Sequence, residues 1–202
     1  MSAPRKIMAS EKIDLERITF LLVDDNNQSL DIMSQVVSGF GVRQLIKCGS
    51  AAEARAALSR NTVDFIVTDA QMPDEDGFEF TKWVRKEATD AHKHVPIVIV
   101  TGHTPRRDVM RARDCGAHFV VTKPLTPKVL LERIFWVAQD TRSFVECDSY
   151  TGPDRRTKRL GPPAGTEGRR HDDLKGALGA AEEPNMSQDA INALMKPAKV
   201  AI

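Results

Sequence analysis

The stretch that decides the fold is Asp64-Phe65-Ile66-Val67-Thr68-Asp69-Ala70-Gln71-Met72-Pro73-Asp74-Glu75-Asp76-Gly77. Its short apolar run, Phe65 to Val67, is typical of a strand buried on both faces, and it stops at an aspartate before a Pro/Gly turn. Asp69 is therefore predicted at the carboxyl end of a central strand. Ligands of open α/β sheets bind at that edge, so this carboxylate is a candidate for chemistry. Taken alone, Asp69 has a plainer interpretation, as a residue that opens a turn.

The same order of apolar run, polar turn and helical pattern repeats along the chain. Strands are predicted at 18–23, 42–48, 63–68, 95–100 and 117–121. Helices are predicted after the turn at 24–27 up to 39, at 51–58, from 77 onward, at 105–114 and at 125–139. Strands that alternate with helices predict a parallel sheet covered on both faces. The predicted fold class is therefore α/β, a doubly wound five-stranded parallel sheet of order 2-1-3-4-5, with a disordered C-terminal tail.

Composition excludes several classes of protein. The chain has 202 residues, 41% of them hydrophobic and 28% charged, with a net charge of +1. The cysteines are three and form no Cys-x-x-Cys pair, which argues against a disulfide framework and a structural zinc site. No apolar run has the length of a signal peptide core or a transmembrane segment. We expect a cytoplasmic protein.

Differences in composition and hydrophobic pattern divide the chain into three parts. Residues 1–16 are a polar N-terminal arm, 17–139 hold the regular α/β pattern, and 140–202 are a flexible, basic tail rich in Gly and Pro. Eleven of the 23 Gly and Pro residues lie in that tail, which is too short and too poor in large apolar residues to form a DNA-binding domain of ordinary size. A short helix is predicted at 187–196, on the apolar positions Ile191, Leu194 and Met195 behind Ser187.

Chemically capable side chains follow four of the five predicted strands. They are Asp24 and Asp25 after the first strand, Asp69 after the third, Thr101 after the fourth and Lys123 after the fifth. Singly, each is better explained as a turn residue, a helix cap or a solvated charge. The predicted strand order brings them to one cleft, where carboxylates that repel each other call for a hard divalent cation, most plausibly Mg²⁺. A metal-bound carboxylate beside a hydroxyl and an ammonium is suited to accepting a phosphoryl group.

These residues carry a resemblance to a known family. The pair Asp24-Asp25, the segment Asp69-x-x-Met72-Pro73-x-x-Asp76-Gly77, and the dipeptides Thr101-Gly102 and Lys123-Pro124 stand at the family's separations. Residues 17–139 thus resemble a receiver domain of the two-component response regulators, the CheY-like family. The resemblance implies a flavodoxin/CheY-like fold and a signalling protein that is not an enzyme beyond its own phosphorylation and dephosphorylation.

The resemblance also implies roles for individual residues. Asp69 would be the phosphoacceptor, supplied by a sensor histidine kinase or a phosphotransfer protein. Mg²⁺ would be held by Asp25, Asp69 and the backbone carbonyl of Gln71, with Asp24 acting mostly through water. Thr101 and Lys123 would contact the phosphoryl oxygens, and the Lys123-Pro124 peptide would be cis. A downstream protein would dock on the face of the fourth helix, fifth strand and fifth helix of the receiver pattern.

One position departs from the family. Members usually carry an aromatic residue three positions before the lysine, where this chain has Val120, preceded by Phe119. Because side chains alternate along a strand, Phe119 is expected to point to the other face of the sheet. The departure puts the usual coupling of threonine to aromatic ring in question and leaves phosphorylation itself intact.

The tail contains a second set of candidate residues. Asp154, Arg155, Arg156 and Arg159, followed by Arg169 and Arg170, form two clusters of arginine and aspartate. A solvated flexible tail is the plain interpretation. Arginines can also fork onto guanine and pair with phosphates, and the composition is similar to the arginine-rich tails of Cle-type receivers, which bind cyclic di-GMP. Charge alone would equally suit RNA, an acidic protein surface or anionic lipid.

Two further hypotheses of function remain. The first is an unphosphorylated adaptor that uses the receiver fold as a scaffold, with a tail that binds cyclic di-GMP, RNA or an acidic partner. The second is a phosphatase of the haloacid dehalogenase type, which also uses an aspartate at a strand end. Such an enzyme usually has an Asp-x-Asp pair after its first strand, and Asp24-Asp25 differs from that pair.

Overall fold

Five parallel strands form the central sheet of the computed structural model, which describes residues 15–102, 105–140, 142–155 and 186–195. They are β1 Thr19–Val23, β2 Gln44–Cys48, β3 Phe65–Asp69, β4 Ile97–Thr101 and β5 Phe119–Thr122. Their order in the sheet is β2-β1-β3-β4-β5, with every neighbouring pair parallel. The predicted fold class and strand order are confirmed.

The three inner strands show why the strands could be predicted from the sequence. Every residue of β1, β3 and β4 is buried, because helices cover both faces of the sheet. Such strands need continuous apolar runs, and the register sets Phe20 beside Phe65 and Ile66 beside Ile97. Asp69, the last residue of β3, lies beside Val100. The strand therefore ends one residue later than predicted, with the carboxylate on the strand itself.

The helices of the α/β part are α1 Asn27–Gly39, α2 Ala51–Leu58, α3 Gly77–Lys86, α4 Asp90–Lys93, α5 Arg106–Asp114 and α6 Pro127–Ala138. Side-chain oxygens cap four of them at the positions Asn26, Ser50, Asp76 and Thr126. The short helix α4 was not predicted. Because it precedes α5 and α6, the fourth and fifth helices of the sequence prediction correspond to α5 and α6.

A β-hairpin follows α6, in a segment that the sequence analysis assigned to the flexible tail. It pairs β6 Phe144–Cys147 with β7 Tyr150–Pro153, antiparallel. The centroid of the Phe144 ring lies 4.6 Å from the centroid of the His94 ring and 5.2 Å from the Arg85 guanidinium carbon. A two-stranded hairpin is marginal by itself in water, so its order depends on these contacts with the α/β part.

A final helix, α7 Gln188–Met195, lies within the stretch predicted at 187–196 and packs beside β5. The N-terminal arm up to residue 14, residues 156–185 and residues 196–202 lie outside the described residues, as do the predictions made for them. Among the described residues, no helix combines the length and the apolar character needed to cross a bilayer.

Candidate functional site

Asp69 stands at the carboxyl end of the central strand β3, where the residue is 6% exposed. Burial disfavours the charged form and raises the pKa of its carboxyl group, and the negative charge of Asp24 acts in the same direction. The Lys123 ammonium opposes the shift by hydrogen bonding and by charge. The result is a carboxylate that is largely withdrawn from water and whose nearest compensating charge is a lysine.

Three carboxylates meet around this position. Asp24, Asp25 and Asp69 each offer an oxygen, and these oxygens lie within 4.8 Å of one another. Asp24 and Asp69 are buried, whereas Asp25 is exposed. Oxygen donors of this charge and spacing suit a hard divalent cation such as Mg²⁺, which keeps several of its own waters and therefore needs an open side like the one at Asp25.

Asp24 has two structural tasks besides its charge. Its Oδ1 accepts a hydrogen bond from the Asn26 backbone N–H at 2.9 Å, and its Oδ2 accepts one from Lys123 Nζ at 3.0 Å. Asn26 in turn caps α1 by accepting from the backbone N–H of Gln28 and Ser29. The acidic pair after β1 therefore combines both interpretations offered by the sequence, because it starts a helix and also supplies charge to the cleft.

Lys123 crosses from β5 to the two buried aspartates. Its Nζ lies 2.9 Å from Asp69 Oδ1 and 3.0 Å from Asp24 Oδ2, and the Lys123–Pro124 peptide is cis, as expected. Burial by itself would lower the pKa of the ammonium, but the hydrogen bonds and charges of Asp69 and Asp24 outweigh it and leave the pKa raised. The lysine is thus held protonated against the carboxylate whose chemistry is in question.

Thr101 and Gln71 complete the predicted set. Thr101 is the last residue of β4 and is 3% exposed, one residue beyond the partner of Asp69 in the sheet register. Gln71 lies in the loop two residues after Asp69 and is exposed. The structure thus brings all five predicted side chains, Asp24, Asp25, Asp69, Thr101 and Lys123, to one edge of the sheet.

The loop after Asp69 is held by contacts that the sequence analysis missed. Asp76 caps α3 with Oδ1, which accepts from the backbone N–H of Phe78 and Glu79, while Oδ2 accepts from Arg111 of α5 at 2.7 Å. The Arg111 guanidinium carbon also lies 4.4 Å from the Phe78 ring centroid. Arg111 is 35 positions from Asp76, and no local pattern marks it.

Gly77 explains why this loop can stay so close to the site. A Cβ at this position would overlap the backbone carbonyl of Asp69. Only glycine therefore lets the first turn of α3 approach the end of β3, with the Gly77 N–H donating to the Ala70 carbonyl at 3.1 Å. Steric exclusion of any larger side chain therefore explains why the motif has glycine at position 77.

The structure describes only the first two candidates of the tail. The backbone N–H of Asp154 donates to the Ser143 carbonyl at 2.7 Å, and Arg155 pairs with Asp114 while its guanidinium carbon lies 3.8 Å from the Tyr150 ring centroid. Arg155 thus anchors the hairpin to the end of α5. The remaining four candidates lie outside the described residues, namely Arg156, Arg159, Arg169 and Arg170.

Comparison with known proteins now decides the family. The family profile of the response regulator receiver domain matches residues 20–135, more than half of the chain. The chain belongs to this family. The receiver domain is a signalling domain of two-component systems, and the resemblance derived from the strand-end residues is confirmed.

Curated relatives agree with this assignment. Over 118 residues the chain is 31% identical to the transcriptional regulatory protein GltR of Pseudomonas aeruginosa, an alignment that covers 57% of this chain and 47% of GltR. Over 114 residues it is 31% identical to the chemotaxis protein CheY of the same organism, covering 56% of this chain and 90% of CheY. The chain thus spans about half the length of the GltR regulator and nearly all of CheY.

Solved structures show the same fold. The chemotaxis protein CheY4 of Vibrio cholerae superposes with a TM-score of 0.56 at 28% identity, covering 59% of this chain and 98% of CheY4. The receiver domain of the histidine kinase CKI1 from Arabidopsis thaliana, solved in complex with Mg²⁺, gives a TM-score of 0.52 at 26% identity and covers 60% of this chain and 96% of that domain.

Proposed function

We propose that this receiver domain accepts a phosphoryl group on Asp69 from the phosphohistidine of a sensor kinase or phosphotransfer protein. One observation carries the proposal. A buried aspartate at the end of the central strand is bridged to a second buried aspartate by a single lysine, and a third, exposed aspartate opens the cluster to solvent. A purely structural Asp–Lys pair has no need of two further carboxylates within 4.8 Å.

Each residue has a part in this proposal. An oxygen of the Asp69 carboxylate attacks the phosphorus while the P–N bond to the donor histidine breaks and its electron pair returns to that imidazole. The Lys123 ammonium, already in contact with Asp69, pairs with the added negative charge. Thr101 supplies a hydroxyl donor at the same edge of the sheet. Asp24, Asp25 and Asp69 would hold Mg²⁺ together with the Gln71 carbonyl, and the bound cation would screen the charge of the phosphoryl group.

In this proposal, the receiver domain signals by binding a downstream protein. Receiver domains as a family act on downstream proteins, and here the docking face is formed by α5, β5 and α6.

The test is chemical phosphorylation by acetyl phosphate with Mg²⁺, followed by intact mass spectrometry. The wild-type chain should gain one phosphoryl group, and Asp69→Asn should gain none. Asp74→Asn is the matched control, because Asp74 lies in the same loop with a left-handed φ of 67° that asparagine also tolerates. Equal incorporation into the wild type and Asp69→Asn would refute the assignment, and the absence of any incorporation would favour the unphosphorylated adaptor.

A further inference from the structure

The side chain of Gln188, the first residue of α7, pairs with the edge of β5 as a neighbouring strand would. Its Oε1 accepts from the Thr122 backbone N–H at 2.9 Å and from the Thr122 hydroxyl at 3.2 Å. Its Nε2 donates to the Val120 carbonyl at 3.1 Å. One amide therefore satisfies an outward donor and an outward acceptor of the β5 edge, beside which the described residues form no further strand.

The apolar side of α7 is buried on the same surface. Ile191 is 0% exposed and Met195 is 4% exposed, and both belong to the main hydrophobic core. Ile191 follows Gln188 by three positions and Met195 follows Ile191 by four, so the three residues share one face of the helix. Full burial of an isoleucine makes this contact a stable one rather than a passing one.

Charge also matches across the contact. Arg133 of α6 is buried, with its guanidinium carbon 5.0 Å from the Phe119 ring centroid. Burial lowers the pKa of this guanidinium, and the negative charges of Glu132 and of Asp189 in α7 oppose the shift. The acidic first turn of α7 therefore faces a cation of the surface on which the helix rests.

The surface that α7 covers overlaps the docking face of the proposed function. It includes the outer edge of β5 at Val120 and Thr122. A partner that engages this edge needs the same Val120 carbonyl and Thr122 N–H, which Gln188 already occupies. Two ligands of one set of backbone groups exclude each other.

We infer that α7 is an intramolecular ligand of the docking face, and that it must leave before a partner can bind there. The inference rests on the proposed function for the identity of the face. The occupant is this chain's own helix, because the 32 residues between Arg155 and Gln188 are ample to reach β5 from the hairpin. Tethering to the same chain raises the effective concentration of α7 far above that of a free partner.

Phosphorylation is coupled to α7 through the backbone of β5. Thr122, which holds Gln188, directly precedes Lys123, which holds Asp69. A phosphoryl group on Asp69 changes the contacts of Lys123 and so disturbs the adjacent Thr122. The amide of Gln188 also donates to the Val120 carbonyl, so it is bonded to β5 at two positions and a shift of this strand changes both contacts.

Hydrogen–deuterium exchange of the full chain tests the docking. Ile191→Asn places an asparagine on the buried side of α7, and Ile32→Asn makes the same change at an exposed position of α1 as the matched control. Amide exchange at Thr122 should become roughly tenfold faster in Ile191→Asn and stay near the wild-type rate in Ile32→Asn. Unchanged protection of Thr122 in Ile191→Asn would overturn the inference.

Beryllofluoride with Mg²⁺, a mimic of the phosphoryl group, tests the coupling on the same chains. In the wild type it should raise exchange at Thr122 and in α7 towards the level of Ile191→Asn, while β1 and β3 stay protected. Binding of beryllofluoride at Asp69 without change at Thr122 would overturn the coupling. Failure to bind at Asp69 would instead overturn the proposed function, whereas the comparison of the two asparagine variants decides the docking of α7 independently.

Discussion

At the scale of single residues, the most unusual group is Arg85, a buried guanidinium whose hydrogen bonds, within the described part of the chain, go to two backbone carbonyls and a histidine ring. It donates to the carbonyls of Gly116 at 3.0 Å and Lys93 at 2.7 Å, and its Nη2 lies 3.3 Å from His118 Nδ1. Burial lowers the pKa of Arg85 to about 9, which still leaves it charged at neutral pH. Because a guanidinium only donates, His118 Nδ1 must be an acceptor, and the imidazole is neutral.

His118 should therefore make the stability of the fold depend on pH. Burial lowers its pKa well below the usual value, and the charges of Arg85 and Arg142 lower it further. Below the pKa that His118 has in the unfolded chain, the unfolded chain binds a proton at this residue and the folded chain does not. The free energy of unfolding is therefore highest above that pKa and decreases as the pH falls below it. We expect a loss approaching about 1.4 kcal/mol per pH unit below roughly pH 6.5.

Urea unfolding at pH 7.5 and at pH 5.5 checks this expectation. His118→Asn keeps an acceptor near the position of Nδ1 and removes the titration. The difference in unfolding free energy between the two pH values should be smaller in His118→Asn than in the wild type. An identical pH dependence in both chains would contradict it, since all other titrating groups are shared.

At the scale of elements, the fit of the β6–β7 hairpin depends on the absence of a side chain at Gly152. A Cβ there would lie 2.7 Å from the Gly116 Cα and 2.5 Å from the Tyr150 hydroxyl. Because the Gly116 contact is backbone, the hairpin must move to admit a methyl group. We expect Gly152→Ala to lower the free energy of unfolding by about 1–3 kcal/mol.

Gly39→Ala is the control for the hairpin substitution, because its new Cβ meets nothing within 4 Å. Near the end of α1 it should leave stability unchanged or raise it by up to about 1 kcal/mol. Chemical denaturation of both variants separates the steric effect from a general effect of replacing glycine. Equal stability of the two would show that the hairpin does not press on Gly116.

Helix α3 offers a second prediction at this scale, on the loop that follows Asp69. Asp76→Ala removes the cap of α3 and should lower the unfolding free energy by about 1 kcal/mol, whereas Asp76→Asn keeps an acceptor for the two capped N–H groups. The ion pair with Arg111 is partly exposed, so its loss in Asp76→Asn should matter less than the cap. Urea denaturation giving both variants the same stability would contradict this ranking.

At the scale of the whole molecule, three carboxylates drawn from two strands repel each other across the cleft, and a divalent cation relieves that repulsion. Mg²⁺ that binds only the folded chain should raise the free energy of unfolding by about 1.4 kcal/mol at ten times its dissociation constant. Thermal unfolding with Mg²⁺ and with EDTA measures the gain. Asp25→Asn should lose most of it and Asp74→Asn none of it, and an equal gain in both would refute the metal site.

The sequence alone was sufficient for the sheet and for the residues at its carboxyl edge. Strands buried on both faces need uninterrupted apolar runs, and these runs are visible without any tertiary information. Parallel strands then align their carboxyl ends, so Asp69, Thr101 and Lys123 had to reach the same edge once the strand order was set. The hydrophobic pattern and the rules of sheet topology were therefore enough to predict the sheet and the residues at its carboxyl edge.

Only the tertiary structure decided where the segments after α6 lie and what supports the site. The contacts responsible join residues far apart, as Thr122 and Gln188 are 66 positions apart and Asp76 and Arg111 are 35 apart. The hairpin and α7 are short, and their order comes from surfaces that exist only after the sheet has formed. A sequence displays the periodicity of an element, but not the distant partner whose burial and hydrogen bonds stabilise it.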